Sequence, residues 1–220
     1  MEKKISIIIY ILACVAVSLI FTEIENAALS EIIFQLYPAL FVIGVDSTTF
    51  MIRMIWIIPL LIIVCISFAQ MCDYFEKKLI YFVLRSRNYF NSYLYIYKKV
   101  LIETGMFTIL YYIISIVVSG NYEAFFDFYH FMKMMHFFMV CNLLVQILMI
   151  LYFVSRKQNV IIYYIIVIIL AISSGNNLFS KILLCQNLTT FIFSDIVILL
   201  LCNSLTVWSI YIVLKNYSIK

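Results

Sequence analysis

Five stretches of this chain run without a single Asp, Glu, Lys or Arg: Ile5 to Thr22, Met54 to Cys72, Thr104 to Tyr122, Met134 to Ser155 and Ile196 to Leu214. Each is long enough for the hydrocarbon layer of a membrane, which takes about 20 helical residues, with a range of roughly 17–25. A sixth stretch, Gln158 to Ser180, has the length but loses its apolar character after Ile172. Lipid offers no partners to backbone amides, so a crossing segment must be a helix or a strand of a closed barrel. The alternation of a barrel strand is absent here. The expected architecture is all-α, a single polytopic membrane domain with six helices at about 5–22, 54–72, 100–119, 134–155, 158–173 and 195–214.

Composition supports the same class. Of 220 residues 66% are apolar and 12% charged, against about 25% charged in an ordinary soluble domain. The net charge of +4 is too small to point to nucleic acid. The opening Met-Glu-Lys-Lys and its apolar run resemble a signal peptide, but Phe21-Thr22-Glu23 offers no small-x-small cleavage site, so a retained helix is expected.

Orientation follows from the basic residues. Lys3, Lys4, Lys77, Lys78, Arg85, Arg87, Lys98, Lys99, Arg156, Lys157, Lys215 and Lys220 fall in one set of ends and loops, leaving only Arg53, Lys133 and Lys181 for the other. Lys and Arg accumulate on the cytoplasmic side of short loops, so both termini are expected inside a multi-pass protein of the cell membrane. Glu23, Glu25, Glu31, Asp46, Glu123, Asp127 and Asp195 make the outer side acidic.

Three connections are longer than a helix pair requires, since such links usually take 2–8 residues. The outer segment 23–53 carries a stripe of Ile32, Ile33, Leu36, Leu40 and Phe41 interrupted at Pro38, as an interfacial helix would. The outer segment 174–194 contains Gly175-Asn176-Asn177 and then a short apolar run; a run of that length is either a re-entrant piece or a surface helix. The inner segment 73–99 brackets the apolar and aromatic residues 79–84 with Asp73, Glu76, Lys77 and Lys78 on one side and Arg85 and Arg87 on the other. That pattern fits a docking element for a partner, and equally a basic loop that sets topology and touches anionic lipid.

Reactive side chains offer little. The six cysteines form no C-x-x-C pair or outer framework, and buried thiols behave as small apolar groups. His130 and His136 are six residues apart, outside the spacing that shares a helical face, and neither stands as an oriented base beside Cys141. Glu103 lies four residues after Lys99, the spacing of a local ion pair. Asn142 and Gln146 lie four apart in the fourth helix, where they suit either interhelical packing or a polar lining. No G-x-x-x-x-G-K-[ST] phosphate loop exists, so the chain carries no recognisable nucleotide site.

The order of Glu76, the run Tyr81 to Leu84, Arg85 with Arg87, and Lys98 leading into the third helix resembles the small permease subunits of ABC-2-type transporters. The likeness is to those that accompany bacteriocin or peptide export and immunity in Gram-positive bacteria. The resemblance implies a permease without a cofactor or metal, paired with a separate cytoplasmic ABC ATPase and with a second permease chain, identical or similar. It implies outward movement of an amphipathic peptide or lipid-like molecule. In that reading Asp73, Glu76, Lys77, Lys78, Arg85 and Arg87 dock the ATPase, and Asn142, Gln146, Asn176 and Asn177 mark the translocation path. Two other readings stand beside it: an immunity or substrate-binding membrane protein that needs no ATPase, and a membrane peptide-processing enzyme using Cys141 and His136.

Overall fold

A computed structural model describes residues 7–16, 19, 58–74, 89–119, 128–155, 161–162, 164–166 and 192–215. All seven segments among them longer than a single residue are helical, and we label them α1 (Ile7–Ala16), α2 (Ile58–Tyr74), α3 (Tyr89–Ser119), α4 (Phe128–Ser155), the short α5 (161–162 with 164–166) and α6 (Ile192–Lys215). Three of these, α3, α4 and α6, are long and apolar enough to cross a membrane, over Tyr93–Val118, Met134–Ser155 and Ile196–Lys215. The chain is a multi-pass membrane protein. Helix formation here owes little to propensity, because the β-branched Ile and Val that crowd α3 and α6 are middling helix formers in water. In lipid, each backbone amide has to be bonded within its own helix.

The helices outrun the charge-free stretches that located them. α3 begins at Tyr89 rather than near residue 100, so the last part of the segment expected to be a connection is its first three turns, with Lys98 and Lys99 inside the helix. α4 begins at Phe128 rather than 134, and α6 at Ile192 rather than 195. At 31 residues α3 spans about 46 Å, well beyond the roughly 30 Å of hydrocarbon. Its aromatic and basic start therefore stands in the headgroup layer. The segments 23–53, 75–88 and 174–191 lie outside the described residues.

Side-chain pairs set the directions of the helices. Ser67 of α2 meets Thr104 of α3, and Tyr74 meets Lys99, so these two run antiparallel. Tyr93 packs on Phe153, Gln146 bonds Tyr97, and Tyr111 packs on Phe137, which makes α3 and α4 antiparallel as well. Asn203 of α6 reaches Met139 while Thr206 reaches Gln146, so α4 and α6 run parallel. α1 lies along α3, with Tyr10 at Phe107 and Cys14 near Tyr111. One end of the bundle thus gathers the C-termini of α2, α4 and α6 and the N-terminus of α3. Lys98, Lys99 and Lys215 all lie there.

The core centres on α4. Cys141, Leu144, Val145, Leu148 and Met149 are fully enclosed, against Tyr93, Tyr111 and Ile116 of α3 and Ile63 and Met71 of α2. Close approach of α3 and α4 is helped by Gly105, where an added Cβ would lie 3.5 Å from the Phe138 ring.

Candidate functional site: a polar seam between the spanning helices

Most of the interior is apolar, and a connected side-chain network lies where α4 meets α3 and α6. Gln146, fully buried, is the hub. Its Nε2 donates to Tyr97 Oη at 2.6 Å and to Asn203 Oδ1 at 3.0 Å. Its Oε1 accepts from the Thr206 hydroxyl, whose single hydrogen is shared with the Asn203 carbonyl at 2.8 Å. Asn203 spends both Nδ2 hydrogens on carbonyls, Leu199 in its own helix at 2.8 Å and Met139 in α4 at 3.3 Å. That leaves Asn203 only its Oδ1 to turn toward Gln146, which in turn requires the Nε2 end of the Gln146 amide to face Asn203 and leaves the Oε1 end for Thr206. The seam is a directed network rather than a set of interchangeable contacts. Such side-chain bonds between membrane helices contribute about 0.6 kcal/mol each.

A second, smaller seam joins α2 to α3. The Thr104 hydroxyl donates to the Val100 carbonyl at 2.8 Å, so its single hydrogen is used, and Ser67 Oγ donates to Thr104 Oγ across 3.2 Å. Thr108 donates to the Thr104 carbonyl in the same way, and Tyr10 of α1 donates to the Phe107 carbonyl. Farther along α3, Tyr111 Oη and Ser115 Oγ are buried without a hydrogen-bond partner among the described residues.

The residues expected to line a path divide. Gln146 sits at the hub described above, whereas Asn142, four residues earlier, turns its Nδ2 back to the Phe138 carbonyl at 3.0 Å and leaves Oδ1 buried without a hydrogen-bond partner. The two side chains share no hydrogen-bond network among the described residues. Asn176 and Asn177 lie outside the described residues. Sequence reasoning missed Tyr97, Asn203 and Thr206; the signal for two of them was the run Asn203-Ser204-Leu205-Thr206, polar groups in the middle of an otherwise apolar helix.

Of the docking residues only Asp73 is described, exposed on the last turn of α2. Glu76, Lys77, Lys78, Arg85 and Arg87 lie outside the description. Next to Asp73, Tyr74 faces the Lys99 ammonium, which stands 5.5 Å from the centre of that ring and 5.3 Å from the ring of Tyr95. A cation held by two aromatic faces gains about 0.5–1 kcal/mol or more at each. Cys141 is fully buried and His136 nearly so, both within the packed interior of α4. Among the described residues no three His, Cys, Asp or Glu side chains gather as a metal site would require.

No family model, no curated protein and no solved structure matches this chain.

Proposed function

We propose that the chain is the permease subunit of an ABC-type exporter, moving an amphipathic peptide or lipid-like molecule outward under the power of a separate cytoplasmic ATPase. The observation that carries this reading is the common end of the bundle. Tyr74 closes α2 and Tyr89 opens α3 there, beside the ends of α4 and α6. The sequence between Tyr74 and Tyr89 holds Glu76, Lys77, Lys78, Arg85 and Arg87. A partner that grips this stretch pulls on α2 and α3 together, because Lys99 and Tyr74 tie their ends. A second permease chain would complete the transporter.

The test is recovery of an ATPase with the tagged chain from native membranes. Reversing the charges of Glu76, Arg85 and Arg87 together should abolish co-purification while the protein stays folded; unchanged recovery would sink the docking role. The alternative, an immunity or substrate-binding protein working without an ATPase, draws support from the closed polar seam. Gln146 there spends its amide on neighbours instead of presenting it to a path. That alternative expects no ATPase in the wild-type sample.

A further inference from the structure

At the basic end of the bundle, α3 carries an exposed apolar stripe headed by two lysines. Lys98, Ile102, Met106, Ile109, Ile113 and Val117 follow one another at steps of four or three residues, so they stack on one helical face. All are exposed, Met106 to 67%. Tyr95 and Lys99 flank the head of the stripe, both exposed, and the Lys99 ammonium is held between the Tyr95 and Tyr74 rings. The two lysines are adjacent at the head of the stripe, and the Lys99 ammonium lies against aromatic faces from two different helices. Below them Ile102 to Ile109 descend about 10 Å and Ile102 to Val117 about 23 Å at 1.5 Å per residue. A single leaflet is roughly 15 Å deep.

This arrangement has the charge and the dimensions of one lipid. The exposed apolar face of α6, Leu201, Leu205, Trp208 and Ile212, also ends at an exposed lysine, Lys215, but among the described residues it carries one cation where the head of α3 carries two. We propose that the head of α3 is a binding site for an anionic glycerophospholipid. Lys98 and Lys99 hold the phosphodiester, Tyr95 lies at the level of the glycerol, and one acyl chain runs along Ile102, Met106 and Ile109. A zwitterionic lipid places its own ammonium against the two lysines and is disfavoured. The site stands independently of the exporter reading, since it needs neither an ATPase nor a substrate.

Native mass spectrometry of the detergent-purified full chain tests it, with phosphatidylglycerol and phosphatidylcholine supplied at equal concentration. Wild type should retain phosphatidylglycerol preferentially. Lys98→Gln, an exposed change that leaves the ring-held lysine in place, should lower that preference about fivefold, and Lys98→Gln with Lys99→Gln should remove most of the rest, at roughly fivefold per lysine near a membrane surface. Lys98→Arg with Lys99→Arg should keep it. Equal retention of the two lipids by wild type overturns the site. So does full selectivity in Lys98→Gln and in the double variant, which places the preference on other basic residues, and so does displacement of the lipid by inorganic phosphate, which reduces the site to a simple anion contact.

Discussion

α4 and α6 are close to equal in spanning length and in oiliness, yet 61% of an apolar 18-residue stretch of α4 is buried inside the protein against 17% of the matching stretch of α6. Hydropathy does not distinguish them, because lipid tails and protein interiors are equally apolar solvents. Their polar residues do. In α4 the polar side chains Asn142 and Gln146 are enclosed. In α6 they part company by face: Asn203 and Thr206 turn to α4, while Ser204 and Ser209, on other faces, close on carbonyls of their own helix, Leu200 at 2.9 Å and Leu205 at 2.8 Å. A membrane helix tells which side meets protein by where its polar groups find partners outside itself.

The largest effect should come from the hub. Gln146→Ala removes three side-chain bonds, about 2 kcal/mol at 0.6 each, and adds the cost of a cavity. SDS titration of the purified protein should register a loss of that size, and a stability equal to wild type would show that the seam is not a joint. Gly105 extends the comparison to the face of α3 that meets α4. With 3.5 Å to Phe138, Gly105→Ala should be tolerated within about 0.5 kcal/mol, whereas Gly105→Leu overpacks the contact and should cost about 1–3 kcal/mol in the same titration. The two faces of α6 supply the smallest and sharpest contrast. Asn203→Ala should lose about 1 kcal/mol, and Ser204→Ala, one residue away, no more than about 0.5. If the neighbouring changes prove equal, the assignment of faces fails.

Much of the fold was legible, for one physical reason: a charge cannot sit cheaply in hydrocarbon, so runs without charge outline what the membrane must contain. Met134 to Ser155 was read with its C-terminal boundary at the residue where α4 ends. The same criterion marks the hydrocarbon layer rather than the helix, which is why Lys98, Lys99, Lys133 and Asp195, all inside helices, were placed at or beyond their ends. The polar seam was half legible. Asn142 and Gln146 announce themselves as amides among Leu and Val, but which of them faces a neighbour depends on the register of α4 against α6 and α3. That register is set by contacts far apart in sequence, Gln146 with Tyr97 and with Asn203. The docking residues from Glu76 to Arg87 remain a matter of sequence alone.

The parts of the Gln146 network are made at different times. Tyr97 and Gln146 leave the ribosome well before Asn203 and Thr206, so during synthesis the carboxamide enters the bilayer with Tyr97 as its one network partner and without the two that α6 supplies. Completion of α6 closes the circuit. A nascent chain halted before Asn203 would carry a partly satisfied amide in oil, a mark by which membrane quality control could tell a bundle without α6 from one that has it.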